Sequence, residues 1–269
     1  MSLSIKTNAA APVGAPLFLP RLNRFTKVNL VSLQRFADAT PAAAAADDVT
    51  GSLSAPTMSG GSVSALSGGG VRVIGNAAYP MVGAINITQP FTAMLAGKLL
   101  SSSTASGIAS LLAVPTYGAR GVNIYAGLPG SPSGSSPVNG VFRQSIDGAQ
   151  SSVGQVSLPA GSTWTLDRGF VLFLRHTGSG AGTVDVWCGG ALIYSQAVTI
   201  DTTGVQGAIG SKSTSVKFGA GLSGNPTFIA QDMQVEALAV WSKALTSTEA
   251  AINYAAAAYY ANARGRTWA

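Results

Sequence analysis

The chain has 269 residues, and only 10% of them are charged, far below the roughly 25% of an average soluble protein. The net charge of +6 is spread thinly and forms no basic cluster, which excludes the electrostatic patch expected of a nucleic-acid-binding protein. Cys188 is the only cysteine, so a disulfide framework or a cysteine-based metal site within the chain is excluded.

The sequence carries no signal for export or membrane insertion. No apolar run reaches the roughly 18 residues of a transmembrane helix, and the N-terminal stretch MSLSIKTNAAAPVG lacks the apolar core of a signal peptide. We therefore expect a protein made in a host cytoplasm without a membrane span, which leaves the cell by lysis or as part of a larger particle.

Residues 1–70 differ in composition from the rest of the chain. The stretch APVGAPLFLPRLNRF is too apolar for a solvated tail and too rich in proline for a helix, and residues 51–70 are mostly Gly, Ser and Ala, which is typical of a linker. We predict an extended arm that lies across neighbouring subunits of an assembly; the alternative is a tail folded back on its own domain. The predicted anchors are Leu17, Phe18, Leu19, Leu22, Phe25 and Phe36.

Residues 71–269 are predicted to form one β-sandwich domain. Short apolar runs bounded by Gly, Pro or Ser follow one another, which indicates about ten antiparallel strands in two packed sheets. In TVDVWC, apolar and other side chains alternate, and Gly189-Gly190 then links this run to ALIYSQAVTI as a tight hairpin.

The last apolar run, MQVEALAVW at residues 233–241, is predicted to be a central strand, because apolar residues occur on both of its faces. Regular alternation places Met233, Val235 and Ala237 on one face together with Ala239 and Trp241.

A single helix is predicted over residues 247–264. Thr246 and Glu249 have the spacing of a capping box, the alanine-rich residues that follow favour a helix, and Gly265 is a natural terminator.

The segment VEALAVWSKALTSTEAAINYA resembles the closing signature of LamG-like, concanavalin A-like jelly-roll domains, and weaker likeness extends over roughly residues 85–262. The matching positions are Glu236, Trp241, Ser242, Lys243, Ala244, Leu245, Thr246 and Glu249. The resemblance implies an antiparallel jelly-roll sandwich with a lectin-type, adhesive function.

The same resemblance raises the question of a calcium site. Calcium sites in these domains use several oxygen ligands, often carboxylates. The acidic residues after residue 70 form no cluster along the sequence, and Met233 and Ala237 stand where the family commonly has a glycine and a second acid. We predict no metal and no cofactor; Asp232 and Glu236 are the candidates should calcium bind.

An enzymatic role is not predicted. Asp232 and Glu236 are four residues apart on one strand, about 13 Å at a rise of about 3.3 Å per residue, whereas a retaining glycosidase needs its two carboxyl groups about 5–5.5 Å apart. His176, the only histidine, is expected to be a partly exposed turn residue, and no Gly-x-Ser-x-Gly motif follows a strand.

We therefore predict a non-enzymatic structural component of a virion or phage-like particle, such as a capsid decoration, spike, or tail, baseplate or fibre protein. Residues 1–70 would bind other virion proteins, the chain would form a homo-oligomer, and the sandwich would contact a cell-surface glycan or receptor. The alternatives are a cementing protein that binds no sugar, or a stand-alone lectin or divergent glycosidase. The candidate glycan-binding residues are Tyr117, Tyr125, Asn139, Trp164, Trp187 and Tyr194.

Overall fold

The computed structural model describes residues 24–34, 62–67, 69–74, 79–86, 88–100, 108–115, 121–127, 140–147, 149–157, 164–178, 180–199, 213–218, 232–266 and 268. Fourteen strands and one helix lie within these ranges. The strands are β1 Leu30–Gln34, β2 Ser62–Ala65, β3 Val71–Ile74, β4 Tyr79–Asn86, β5 Phe91–Leu99, β6 Ile108–Pro115, β7 Gly121–Gly127, β8 Gly140–Asp147, β9 Ala149–Ser157, β10 Gly169–His176, β11 Ala181–Cys188, β12 Ala191–Thr199, β13 Ser213–Phe218 and β14 Asp232–Trp241, and the helix is α1 Ser247–Ala263.

The strands form two antiparallel sheets, which confirms the predicted fold class. The eight-stranded sheet has the order β12-β11-β10-β5-β14-β3-β2, and β1 also pairs with β14. The six-stranded sheet has the order β4-β13-β6-β7-β8-β9. β14 has β5 on one side and β3 and β1 on the other, so it is a central strand as predicted.

The central strands of the eight-stranded sheet, β5, β10 and β14, are buried on both faces. One face packs against the six-stranded sheet in a core that we call the inter-sheet core, which contains Leu95, Leu172 and Leu112. The other face packs against α1 in the helix-facing core, which contains Met94, Phe173 and residues of the helix. Because both faces are covered, β5 and β10 are almost continuously apolar instead of alternating.

A β-bulge at Glu236 changes the face on which the side chains of β14 lie. Val235 pairs with Gly97 and Ala237 with the adjacent Ala96, so Glu236 is the extra residue. Met233 and Val235 therefore point into the inter-sheet core, whereas Ala237 and Trp241 point towards α1. The predicted single face for all these residues is wrong, because regular alternation does not allow for an inserted residue.

Gly97 makes the bulge possible. A Cβ atom at this position would lie 2.5 Å from the backbone oxygen of Gln234, closer than side-chain carbons approach backbone atoms. A glycine is therefore required on β5 where the bulged strand approaches it.

Two parts of the predicted N-terminal arm belong to the domain. β1 pairs with β14, β2 pairs with β3, and Phe25 is buried with its ring stacked 5.4 Å from that of Tyr260. This corrects the assignment of Phe25 as an anchor for a neighbouring subunit. Its side chain is already buried against α1 of the same chain, so it has no apolar surface left for another subunit. Leu17, Phe18, Leu19, Leu22 and Phe36 lie outside the described residues.

The helix begins and ends as its sequence predicts. The Thr246 hydroxyl accepts a hydrogen bond from the Glu249 backbone N–H, and the Glu249 carboxylate accepts one from the Thr246 N–H at 2.9 Å. Gly265, with φ of 75°, follows the C-terminal cap at Arg264. Of the helices in the described ranges, none is long and apolar enough to cross a membrane.

Candidate functional site

The two predicted calcium candidates are both ion-paired. Asp232 is buried and accepts hydrogen bonds from the Arg72 guanidinium at 2.8 and 2.6 Å. This hydrogen bonding and the negative charge of Asp232 raise the pKa of Arg72 above its ordinary value. Arg72 and Asp232 occupy neighbouring strands, so the pair ties β3 to β14.

Glu236, the bulge residue, holds two arginines that follow the helix. Its Oε2 atom accepts from Arg264 at 3.0 Å and from Arg266 at 2.5 Å, and all three side chains are largely buried. Arg266 also donates to the backbone oxygens of Ser67 and Gly69 before β3. We call Glu236, Arg264 and Arg266 the arginine clamp, because they fix the end of the chain to the sheet.

These pairs argue against calcium ligation by Asp232 and Glu236, the two residues named as candidates should calcium bind. Each carboxylate already has a cationic partner, and the two contact different arginines. Within the described part of the chain, no three acidic, histidine or cysteine residues are grouped so that they could share a metal ion. That the protein needs no cofactor stays a prediction.

Two further ion pairs lie where the sheet meets the start of α1. The buried Asp185 accepts from Arg175 at 2.6 Å and from the Ser195 hydroxyl at 2.7 Å, and Arg175 also donates to the Leu245 backbone oxygen. Lys243 lies 2.5 Å from Glu249; this contact, helped by the Thr246 N–H, lowers the pKa of Glu249.

His176 is fully buried, which corrects its expected exposure in a turn. It is the last residue of β10 and packs against the Phe91 ring at 5.0 Å, since its cross-strand partner on β5 is Phe91. Its Nδ1 atom lies 3.3 Å from the Gly178 nitrogen and 3.4 Å from the Gln89 carbonyl oxygen. Burial lowers the pKa of His176, and the Gln89 carbonyl partly opposes this shift.

Two of the six predicted glycan-binding residues lie in the inter-sheet core. Trp164 is completely buried and packs on the Phe170 ring at 4.8 Å, and Tyr194 is 8% exposed with its hydroxyl hydrogen-bonded to Gln196. Neither ring has a face available to a ligand, so both assignments are corrected. These aromatic residues supply volume to the core between the sheets.

Three other candidates cannot be placed. Tyr117 and Asn139 lie outside the described residues, and for Tyr125 the structure describes the strand, β7, but not the side chain. Their contribution to binding stays a prediction.

Trp187 is the candidate that the structure places at a surface. It lies on the helix side of β11, it is partly exposed, and its ring stacks against that of Tyr254 of α1 with 5.8 Å between centroids. The Gly189-Gly190 hairpin is present as predicted, with φ of 59° and 83°, and it pairs Trp187 with Leu192, which is 41% exposed.

We call Trp187, Leu192 and Ser195 the hairpin surface; the buried Tyr254 supports it from α1. The Tyr254 hydroxyl accepts a 2.8 Å hydrogen bond from the Gly190 N–H, which fixes the turn against the helix. Ser195 is exposed and lies on β12 beside Asp185. A rigid, partly exposed indole next to an exposed aliphatic side chain and a hydroxyl offers both apolar contact and hydrogen bonding to a ligand.

Sequence reasoning singled out Trp187 but missed Leu192 and Tyr254. The hairpin register could have indicated Leu192, since a two-residue link at Gly189-Gly190 places residues 187 and 192 opposite each other. Tyr254 had no such signal, because the position of α1 on the sheet depends on packing.

The comparisons with known proteins support the fold. No family model matches the sequence, and no curated protein is similar to it. Among solved structures, the binding domain of botulinum neurotoxin serotype D/C is similar with a TM-score of 0.51 and 12% identity, over 86% of this chain and 53% of that one. The binding domain of botulinum neurotoxin DC in complex with SialylT has a TM-score of 0.50 and 10% identity, over 86% of this chain and 52% of that one.

The chain thus spans about half the length of these binding domains. At such low identity the likeness establishes a shared β-sandwich fold. The finer resemblance to LamG-like jelly-roll domains stays a prediction.

Proposed function

We propose that this protein is a non-enzymatic binding module that contacts a cell-surface glycan or receptor through the hairpin surface. The observation that carries this proposal is the partly exposed Trp187 beside the 41% exposed Leu192, whereas the other three tryptophans of the chain are buried. Apolar residues grouped at a surface mark contact sites more often than scattered ones do.

The structural comparisons agree with this proposal. Both similar structures are toxin binding domains, and one of them is in complex with SialylT. Sialylated glycans are therefore the first ligands to test on this chain, beside neutral ones.

The buried carboxylates favour a non-enzymatic role. Asp185, Asp232 and Glu236 each contact an arginine, and Glu249 contacts Lys243. A general acid in a glycosidase needs a carboxyl group with a raised pKa near a free cleft, whereas these carboxylates connect strands and helix to one another.

We further propose that the protein is a component of a virion or phage-like particle, in which the sandwich is displayed outward. The support is the composition of residues 1–70, whose apolar and Gly/Ser-rich stretches are typical of assembly arms. Contacts with other particle proteins are assigned to residues 1–23 and 35–61, since the segments between and after them are strands of the domain.

Glycan binding is tested by presenting the full chain to an array of sialylated and neutral glycans. We expect Leu192→Ser to weaken binding by about tenfold or more, as expected for a residue at the centre of a contact. Ile74→Ser is the matched control, because Ile74 is similarly exposed at 39% on β3. No glycan binding by the wild type, or equal loss in both variants, would refute this proposal.

Assembly is tested by the native mass of the full chain from light scattering after gel filtration. We expect a defined oligomer that is lost on deletion of residues 1–23 or in Phe36→Ser. Deleting all of residues 1–70 would not be a clean test, because it removes β1 and β2 from the eight-stranded sheet. A monomeric full chain contradicts the assembly proposal.

A further inference from the structure

The outer face of α1 carries an uncharged stripe of exposed residues. Ile252 is 48% and Tyr259 is 39% exposed, and Ala255 is exposed between them. The spacing of three and then four residues places them on one side of the helix. Glu249 is the only charged residue of the helix, so this stripe has none of the charges usual on a solvated helix face.

The N-terminal segment runs along α1 and reaches this stripe. The Thr26 N–H donates to Asn253 at 2.9 Å, and the next residue towards the N-terminus, Phe25, stacks on Tyr260. Arg24 then lies over the Tyr259 ring, 3.5 Å from its centroid. Followed backwards from Thr26, the chain moves from the buried flank of the helix to its exposed face.

Four large apolar residues, Leu17, Phe18, Leu19 and Leu22, precede Arg24 and are within reach of the whole stripe. Leu22 is two residues from Arg24 and Leu17 is seven, which allows separations of up to about 7 and 24 Å at about 3.4 Å per residue. Tyr259 and Ile252 are about 10 Å apart along the helix axis at 1.5 Å per residue. An apolar segment is thus attached to the chain at the edge of an apolar surface.

We propose that the segment of residues 17–22, through Leu17, Phe18, Leu19 and Leu22, covers the Ile252–Ala255–Tyr259 stripe of its own chain. The attachment point at Arg24 favours the same chain over a second copy, because the ordering of a short tethered segment costs little entropy. Four of the predicted assembly anchors then act within the chain, and the proposed contact with a particle falls to residues 1–16 and 35–61, which include Phe36.

Disulfide trapping in the full chain tests this proposal. Leu17→Cys, Leu19→Cys and Leu22→Cys are each combined with Ala255→Cys and oxidised; the buried Cys188 is left in place. We expect at least one combination to form an intramolecular disulfide in most molecules. Ala181→Cys, at an exposed position on β11, replaces Ala255→Cys in the matched controls and should give little product.

Two results would overturn the proposal. A disulfide-linked dimer would show that a second copy occupies the stripe, and no product above the controls would show that the segment does not bind the stripe.

Trypsin cleavage after Arg21 gives an independent measurement. If residues 17–22 cover the stripe, Ile252→Asp should accelerate this cleavage about tenfold or more, since cleavage follows the population of the released segment. Ala191→Asp introduces the same charge at an exposed position of the hairpin and should leave the rate unchanged. Equal rates in both variants overturn the proposal. Glycan binding plays no part in either readout, so this inference and the proposed function fail separately.

Discussion

The two faces of the eight-stranded sheet are buried by different means. The inter-sheet core is filled mostly by branched aliphatic and aromatic side chains, such as Val71, Leu172 and Phe170. The helix-facing core combines alanines of α1 and of β14 with a few large rings. Because alanine is small, the helix can lie close to the sheet, and polar contacts then determine where it lies.

Those polar contacts surround the helix-facing core. Asn253 bonds the Thr26 backbone, the Trp241 indole N–H donates to the Thr26 oxygen at 2.7 Å, and Tyr254 accepts from Gly190. The comparison indicates that close packing of bulky apolar side chains holds the two sheets together, whereas hydrogen bonds and ion pairs determine the position of the helix. The hairpin surface lies on the helix side of the sheet, where Trp187 packs at the edge of the helix-facing core.

The largest effect is expected at the arginine clamp. Glu236→Ala should lower the free energy of unfolding by about 3–5 kcal/mol, because it leaves two largely buried arginines without their carboxylate. Asp232→Ala is the comparison variant and should cost less, since its partner Arg72 is 38% exposed and can be hydrated. Urea unfolding measures both, and a cost for Asp232→Ala that equals or exceeds that of Glu236→Ala would contradict the proposed role of the clamp.

The neighbours Met94 and Leu95 compare the two cores directly. Their side chains point to opposite faces of β5, and both are completely buried. Each substitution to Ala should cost about 2–5 kcal/mol of unfolding free energy, with Leu95→Ala the larger. A helix can shift to close a cavity more easily than two sheets can approach each other. If Met94→Ala costs more in the same denaturation experiment, the helix-facing core is the less adaptable one.

Asn253→Ala tests whether polar contacts position the helix. We expect a loss of about 1–3 kcal/mol, because the Thr26 N–H and the Thr26 hydroxyl lose their hydrogen-bond partner. Thr248→Ala, at an exposed position of the same helix, should change stability by less than about 0.5 kcal/mol. Hydrogen exchange should show the loss of protection in residues 24–34 and α1, while β6 and β7 keep theirs; uniform loss would mean that the two layers unfold together.

The smallest effect is the pH dependence from His176. Its folded-state pKa is lowered by burial, so the unfolded chain binds a proton as the pH falls through about 6.5 while the folded chain stays neutral there. Stability is therefore complete above this pH and falls below it, with a slope of at most about 1.4 kcal/mol per pH unit for one proton. Unfolding free energies between pH 7.5 and 5.5 should show this slope in the wild type. A slope that persists in His176→Gln would assign it to other groups.

Much of the architecture could be predicted from local patterns. The capping box at Thr246 and Glu249, the terminator Gly265 and the Gly189-Gly190 hairpin each depend on residues a few positions apart, so the sequence contains the whole interaction. The central position of β14 followed from its apolar residues on both faces, because only a strand covered on both sides buries them.

The tertiary structure alone decided the rest, since it depends on residues distant in sequence. The bulge at Glu236 depends on Gly97 of another strand, and the charge of Glu236 is matched by arginines beyond the helix. Burial of Trp164, Tyr194 and His176 depends on which sheet faces which, and composition does not contain that information. Trp187, already a candidate from the sequence, stays one because Tyr254 of α1 stacks against its ring and leaves it partly exposed, and this arrangement depends on how the helix packs on the sheet.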